Sequence, residues 1–220
     1  MLKFLSRNSK LNMLARFMGV SLSKVVTFDI PAGFSCRKAN ICKTFSHKVT
    51  GKLQRVGRVL CYAAKQENYL PCVRNLRWNN YTQLLACGND VNMLYEIITS
   101  SLPKTTKVVR IHSSGDFYSK EYFQAWVFVA HMNPNIKFYG YTKELDYVLA
   151  VKPDNFSLVY SFGGSDDSRF LALPALSCPA CFIEEYDNQY PNYRVICGKG
   201  GEHEDFYAIQ NNETFVLKIH

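Results

Sequence analysis

The chain has 220 residues, 47% of them apolar, 20% charged and 14% aromatic; this predicts a single α/β domain over residues 1–220 and excludes a disordered or collagen-like chain. A domain of this size buries about 70% of its unfolded surface, so neither disulfides nor a structural metal are needed merely to fold. Apolar runs are too short for a membrane span, and Lys3, Arg7, Lys10, Arg16 and Lys24 interrupt every stretch that would serve as a secretory leader, so a cytoplasmic protein without membrane contact is expected.

Val25–Ile30 reads as a first strand, stopped by Pro31-Ala32-Gly33. An irregular basic segment follows. Residues 59–101 read as two or three helices broken near Leu70-Pro71 and Gly88-Asn89, with Val73, Leu76, Asn80, Leu84 and Leu85 at helical spacing in the middle one. Cys72 and Cys87 punctuate that helix and are expected as small buried thiols. The rhythm then changes to strand at Val108–His112, polar loop at Ser113–Asp116, and a helix capped by Ser119. Strands at 136–141, 156–162 and 193–197 alternate with a short helix at 144–151. This βαβ alternation predicts an α/β fold with a mostly parallel sheet. Residues 207–209 and 214–219, around Asn211-Asn212, are expected to form a small C-terminal hairpin.

The net charge of +8 is unevenly spread. Residues 1–80 carry 15 Lys/Arg against only Asp29 and Glu67, whereas residues 81–220 carry 11 against 16 Asp/Glu. Such a front half suits an anionic partner: a nucleic acid, a small acid or an anionic metal cluster. No RNP-like or helix-turn-helix signature supports nucleic acid beyond the charge itself.

Eight cysteines in a reducing compartment point to metal or redox chemistry rather than to a disulfide framework. Cys36, Cys42 and Cys61 sit among cations, which favour thiolate, and Cys61 leads into a helix, whose N-terminus does the same. Their intervals match neither a zinc finger nor a ferredoxin. Cys178-Pro179-Ala180-Cys181 is a CxxC, with Cys197 further on. It reads as a redox pair, as zinc ligands completed by His203, or as further cluster ligands. In a parallel sheet, function gathers at the carboxyl ends of strands. There His112 and Asp116 make a candidate acid/base pair, and Gly163-Gly164 a turn able to bind a carboxylate or phosphate through backbone N–H groups. The motifs GxSxG, HExxH, GxGxxG and the P-loop are all missing.

Several blocks, in order, resemble a phage-borne family known as gene product eighty-eight. They are residues 8–11, Thr27-Phe28-Asp29-Ile30-Pro31-Ala32-Gly33-Phe34-Ser35-Cys36, Cys61-Tyr62-Ala63, residues 109–119, residues 133–143, Pro153-Asp154-Asn155-Phe156, Gly163-Gly164 and Cys178-Pro179-Ala180. That family in turn resembles reduced radical-SAM proteins, which hold a [4Fe–4S] cluster by three cysteines at the mouth of a partial βα barrel. The resemblance implies Cys36, Cys42 and Cys61 as iron ligands with the fourth iron open. Cys178, Cys181 and Cys197 are second choice, for the fourth position or a separate site. The resemblance puts Ser114-Gly115-Asp116-Phe117 where radical-SAM proteins hold the methionine moiety of S-adenosylmethionine; with the strand-end positions of His112 and Gly163-Gly164, this makes His112, Ser114, Asp116, Gly163 and Gly164 candidate cofactor contacts. Glutathione, an anionic thiol, would suit the basic half as the outside ligand. The expected role is redox chemistry, electron transfer or chemistry at the open iron, in an infected host cell. A zinc-stabilised module binding nucleic acid or a host protein is the alternative.

Overall fold

Leu11, Leu14 and Ala15 are spaced to share one side of a helix, and all three are buried in α1 (Ser9–Phe17). The computed structural model describes residues 1–6, 9–174, 178–184, 192–196, 204–210 and 214–218. β1 (Val25–Phe28) is buried at every position. After it comes an irregular segment whose regular part is an antiparallel ribbon, β2 (Thr44–Ser46) with β3 (Leu53–Arg55). Then come α2 (Tyr62–Tyr69), α3 (Pro71–Ala86) and α4 (Val91–Ser101). Pro71 opens α3, where its missing N–H has no intrahelical acceptor to lose. Asp90 caps α4 by accepting from the Asn92 and Met93 N–H groups.

The second half alternates β4 (Val108–Ile111), α5 (Lys120–Met132), β5 (Lys137–Thr142), α6 (Leu145–Leu149), β6 (Phe156–Ser161), α7 (Asp167–Leu171), β7 (Ala180–Glu184), β8 (Arg194–Ile196), α8 (Glu204–Gln210) and β9 (Phe215–Lys218). Ser119 caps α5, its Oγ accepting from the Tyr122 N–H at 3.1 Å. Seven strands form one open sheet in the order β1-β4-β5-β6-β7-β9-β8, and every neighbouring pair is parallel.

Side chains alternate across this sheet. Val26, Phe28, Val109, Ile111, Phe138 and Leu158 face the layer of α4 and α5, where Leu94, Ile98, Trp126 and Val129 meet them. Val25, Val108, Tyr139 and Val159 face the opposite side, covered by α1 and α8. Helices on both faces explain why the strands read as apolar runs rather than alternating ones. Arg110 is the exception in mid-strand. It is 4% exposed and donates to Asp205 of α8 at 2.7 Å. Burial works against its charge, and the Asp205 carboxylate outweighs this and holds the guanidinium protonated.

Three expectations are corrected. Residues 207–209 lie in α8, and β9 pairs parallel to both β7 and β8, so the C-terminus is a crossover and not a hairpin. Asp205, Ala208 and Ile209 recur at helical spacing and are buried, which wins over the local strand propensity of the segment; Asn211-Asn212 lies outside the described residues. On α3 the buried face is Arg74, Arg77, Asn80 and Leu84, with Leu85 half exposed. Cys72 is exposed rather than buried.

Candidate metal centre

The segment between β1 and α2 is laid across the carboxyl ends of the strands. The Asn40 and Ile41 N–H groups donate to the Gly163 carbonyl at 3.1 and 3.0 Å, just beyond β6. Ser165 N–H donates to the Lys38 carbonyl at 2.9 Å, and Lys38 Nζ reaches Asp166 at 3.0 Å. From the end of β4, Asp116 N–H donates to Ser35 Oγ at 3.2 Å. Gly163 has φ +95°, and a Cβ there would lie 2.0 Å from Ile41 Cγ2, so only glycine admits this close approach. The expectation that the cysteine segment folds over this rim is met.

Cys61 sits at the N-cap of α2, its own N–H donating to Thr44 Oγ1 at 3.3 Å. Burial pushes its thiol pKa up, and the N–H groups of Ala64 and Ala63 at the helix start pull it back down. The thiol of Cys36 is pushed well up by burial, then by Asp116, against a stabilising N–H from Gly33. Cys61 and Cys42 raise the Cys36 thiol further, and Cys42 raises Cys61. Each pair among the three thiols is thus within electrostatic reach, although the residues are 6 and 19 positions apart in sequence. All three are free thiols. The neighbouring cations do less for them than the sequence implies, because Lys38 is turned to Asp166 and Arg37 donates to the Tyr118 carbonyl. Among the described residues, no three His, Cys, Asp or Glu side chains close around a single ion position.

Beneath the thiols lies a buried polar network. Asp29 and Glu67, the only acids of the first eighty residues, are 3% and 0% exposed. Asp29 accepts from the N–H groups of Ser113 and Ser114 at 2.8 and 3.2 Å and from Ser113 Oγ at 2.7 Å. Glu67 accepts from Ala32 N–H at 3.0 Å, Arg77 at 3.2 Å and Ser114 Oγ at 3.3 Å. Burial pushes its pKa up, against the opposing pull of those donors. Arg77, 2% exposed, bridges the two carboxylates, 3.7 Å from Asp29. Tyr62 donates its hydroxyl to the Ser113 carbonyl, although its ring is 65% exposed. Sequence reasoning passed over Asp29, Glu67 and Arg77. Two lone acids in a strongly basic stretch were the available signal.

The rim residues singled out from sequence have structural partners. His112 and Asp116 do not pair. His112 Nε2 meets Tyr122 Oη at 2.9 Å, and burial lowers the imidazole to about 3, so it is neutral. Its φ of +64° marks a strained strand end. Asp116 accepts from Thr142 Oγ1 at 2.7 Å and from the N–H groups of Phe117 and Lys143. Ser114 Oγ is engaged by the Ile30 carbonyl and Glu67. The Gly163 and Gly164 N–H groups both donate to the Asp167 carboxylate, at 2.9 and 3.1 Å, so the chain's own carboxylate fills the turn expected to receive a ligand's. Glu144, also missed, is 6% exposed with Oε1 lacking a hydrogen-bond partner. Burial and then Asp116 raise its pKa to about 7, against Arg37 and Lys38.

The CxxC is split. Cys178 packs with the α4/α5-side cluster and senses Lys152, whereas Cys181 lies in β7 and is buried in the cluster on the opposite face. Cys197 and His203 lie outside the described residues.

The family model described as Gene product 88 matches residues 3–180, a span that includes Cys36, Cys42, Cys61 and the loops that follow β1, β4, β5 and β6. The chain belongs to this family. It is 30% identical over 164 residues to the Gene 88 protein of Mycobacterium phage L5, covering 69% of this chain and 63% of that protein. The Gene 88 protein of Mycobacterium phage D29 is likewise 30% identical over 164 residues, with 69% and 62% covered. The alignments thus span less than two thirds of these relatives' length. No solved structure matches. Within the family span, the thiols and the rim loops that carry them belong to one continuous unit. The crossover through β8, α8 and β9 lies beyond it.

Proposed function

We propose that this phage-family protein binds a [4Fe–4S] cluster through Cys36, Cys42 and Cys61, with the fourth iron left for an outside ligand, in the cytoplasm of the infected host. The observation that supports this is the shared electrostatic neighbourhood of three thiols drawn from a loop and a helix start over the strand ends. When bound, such a cluster supplies one-electron redox chemistry and a Lewis-acidic iron. The chain's own residues do the rest. The α2 N-terminus favours thiolate at Cys61 and the Gly33 N–H favours it at Cys36. Both thiols start out protonated, so loading the site releases protons. Glu144 holds a proton near neutral pH beside the buried Asp116. A small anionic thiol such as glutathione, or a carboxylate ligand such as S-adenosylmethionine, fits the predominantly basic surface of residues 30–66 as the outside ligand.

Iron and acid-labile sulfide counted on anaerobically purified protein test this directly. About four of each per chain are expected, with Cys61→Ser losing most of both and Cys72→Ser losing neither. A colourless protein without iron, or retention by Cys61→Ser and loss by Cys72→Ser, overturns the ligand set.

A further inference from the structure

The basic front half has a surface that the cluster does not use. Between Asp29 and Glu67 there is no acidic residue, and both of those acids are buried against Arg77. No acidic residue of this segment itself therefore stands beside Lys52, Arg55 and Lys65, all of which are exposed. They lie on one continuous piece of structure. The ribbon of β2 and β3 returns through residues 56–59, which hydrogen-bond to Lys43 and Ile41, and then enters α2.

α2 itself is sorted in an unusual way. Ala63, Ala64 and Glu67 face inward, while Tyr62, Lys65 and Tyr69 at i, i+3 and i+7 form its outer stripe. The two tyrosine rings are 65% and 66% exposed. A rise of about 1.5 Å per residue separates them by about 10 Å along the helix, with the lysine between. The Tyr62 hydroxyl is tied to the Ser113 carbonyl, which holds its ring in place. Exposed rings spaced along a cationic surface are what unpaired bases stack on, while the cations track the phosphates. An acidic protein would satisfy the charges but would leave the exposed tyrosine pair without a purpose.

We propose that the outer stripe of α2 and the adjoining ribbon bind single-stranded nucleic acid, with Tyr62 and Tyr69 as stacking platforms and Lys52, Arg55 and Lys65 on the backbone. None of these residues is a proposed cluster ligand, so either reading stands if the other fails.

Fluorescence anisotropy of labelled 20-nucleotide dT and rU oligomers, titrated with anaerobically purified protein over a salt series, tests it. Saturable binding is expected, with log K falling against log salt at about −0.7 per phosphate contact, so close to −2 for three contacts. Tyr62→Ala with Tyr69→Ala is expected to weaken binding about tenfold with the salt slope unchanged, and the paired Tyr→Phe variant to retain it. Lys52→Ala with Arg55→Ala should flatten the slope by about 1.4. The ratio of dT to rU affinity assigns the natural strand. No saturable binding at low salt, full affinity in the tyrosine-to-alanine variant, or equal competition by polyglutamate each overturns the proposal, the last in favour of an acidic protein partner.

Discussion

Glu144 carries the sharpest electrostatic consequence at the level of a single residue. Its carboxyl is buried beside Asp116, and its pKa is raised from 4.5 to about 7. A carboxyl raised in the folded state contributes its stability below the unfolded pKa and loses it as pH climbs through the folded one. The fold therefore weakens between about pH 4.5 and 7 on this account. Glu144→Gln should leave stability near pH 4.5 almost unchanged and raise it at pH 8 by on the order of 1–3 kcal/mol, read from urea unfolding at the two pH values. Equal effects at both would remove the carboxyl's charge as the cause. Chemistry at this scale was partly legible in the sequence. The cysteine trio stood out through its residue type and basic setting, and the structure brings those three thiols within electrostatic reach of one another. Glu144 did not stand out, because nothing in its local sequence shows that Asp116, from another strand end, is packed against it. His112 and Asp116 were legible as rim residues, but their neighbours in sequence were the wrong guide to their hydrogen-bond partners.

The decisive contact between elements is that of the cysteine loop with the turn after β6. Gly163 accepts two loop N–H groups on its carbonyl and leaves no room for a Cβ beside Ile41. Gly163→Ala should cost about 2–5 kcal/mol, from strain at positive φ plus overpacking, and should reduce iron retained per chain. Gly88 also has a positive φ, +58°, but its Cβ position is open, so Gly88→Ala should cost only about 1 kcal/mol and leave iron content intact. Thermal unfolding and iron assay of the two variants check this contrast. Helix breaks at Leu70-Pro71 and near Gly88 were readable because proline and glycine act locally. The polar buried face of α3 was not, since Arg74 and Arg77 are buried by carbonyls and carboxylates that come from distant segments. The same limit hid β7. The CxxC, following Pro174 and Ser177, reads as loop, and only the neighbours β6 and β9 make Cys181 part of a strand.

The whole molecule divides its labour across the sheet. Apolar strands covered on both faces provide a rigid frame, and the carboxyl ends carry the basic segment with its three thiols. The alternation of strand and helix from Val108 onward announced the parallel sheet, and right-handed crossovers left few other topologies. The strand at 214–219 was legible but its pairing was not, because β9 is reached through α8, whose Asp205 accepts from Arg110 across 95 residues, and it lies parallel between β7 and β8. Charge shows the same division: acids of the front half are buried as counter-ions to Arg77, so its surface is more basic than composition alone suggests.

Native mass spectrometry of the anaerobically purified full chain weighs the cluster proposal most directly. The intact protein should carry the mass of one four-iron, four-sulfide unit, less the protons displaced from its thiols, and should lose that mass in Cys36→Ser, Cys42→Ser and Cys61→Ser alike. A bare chain, or a chain bearing one zinc that survives those replacements, would contradict it.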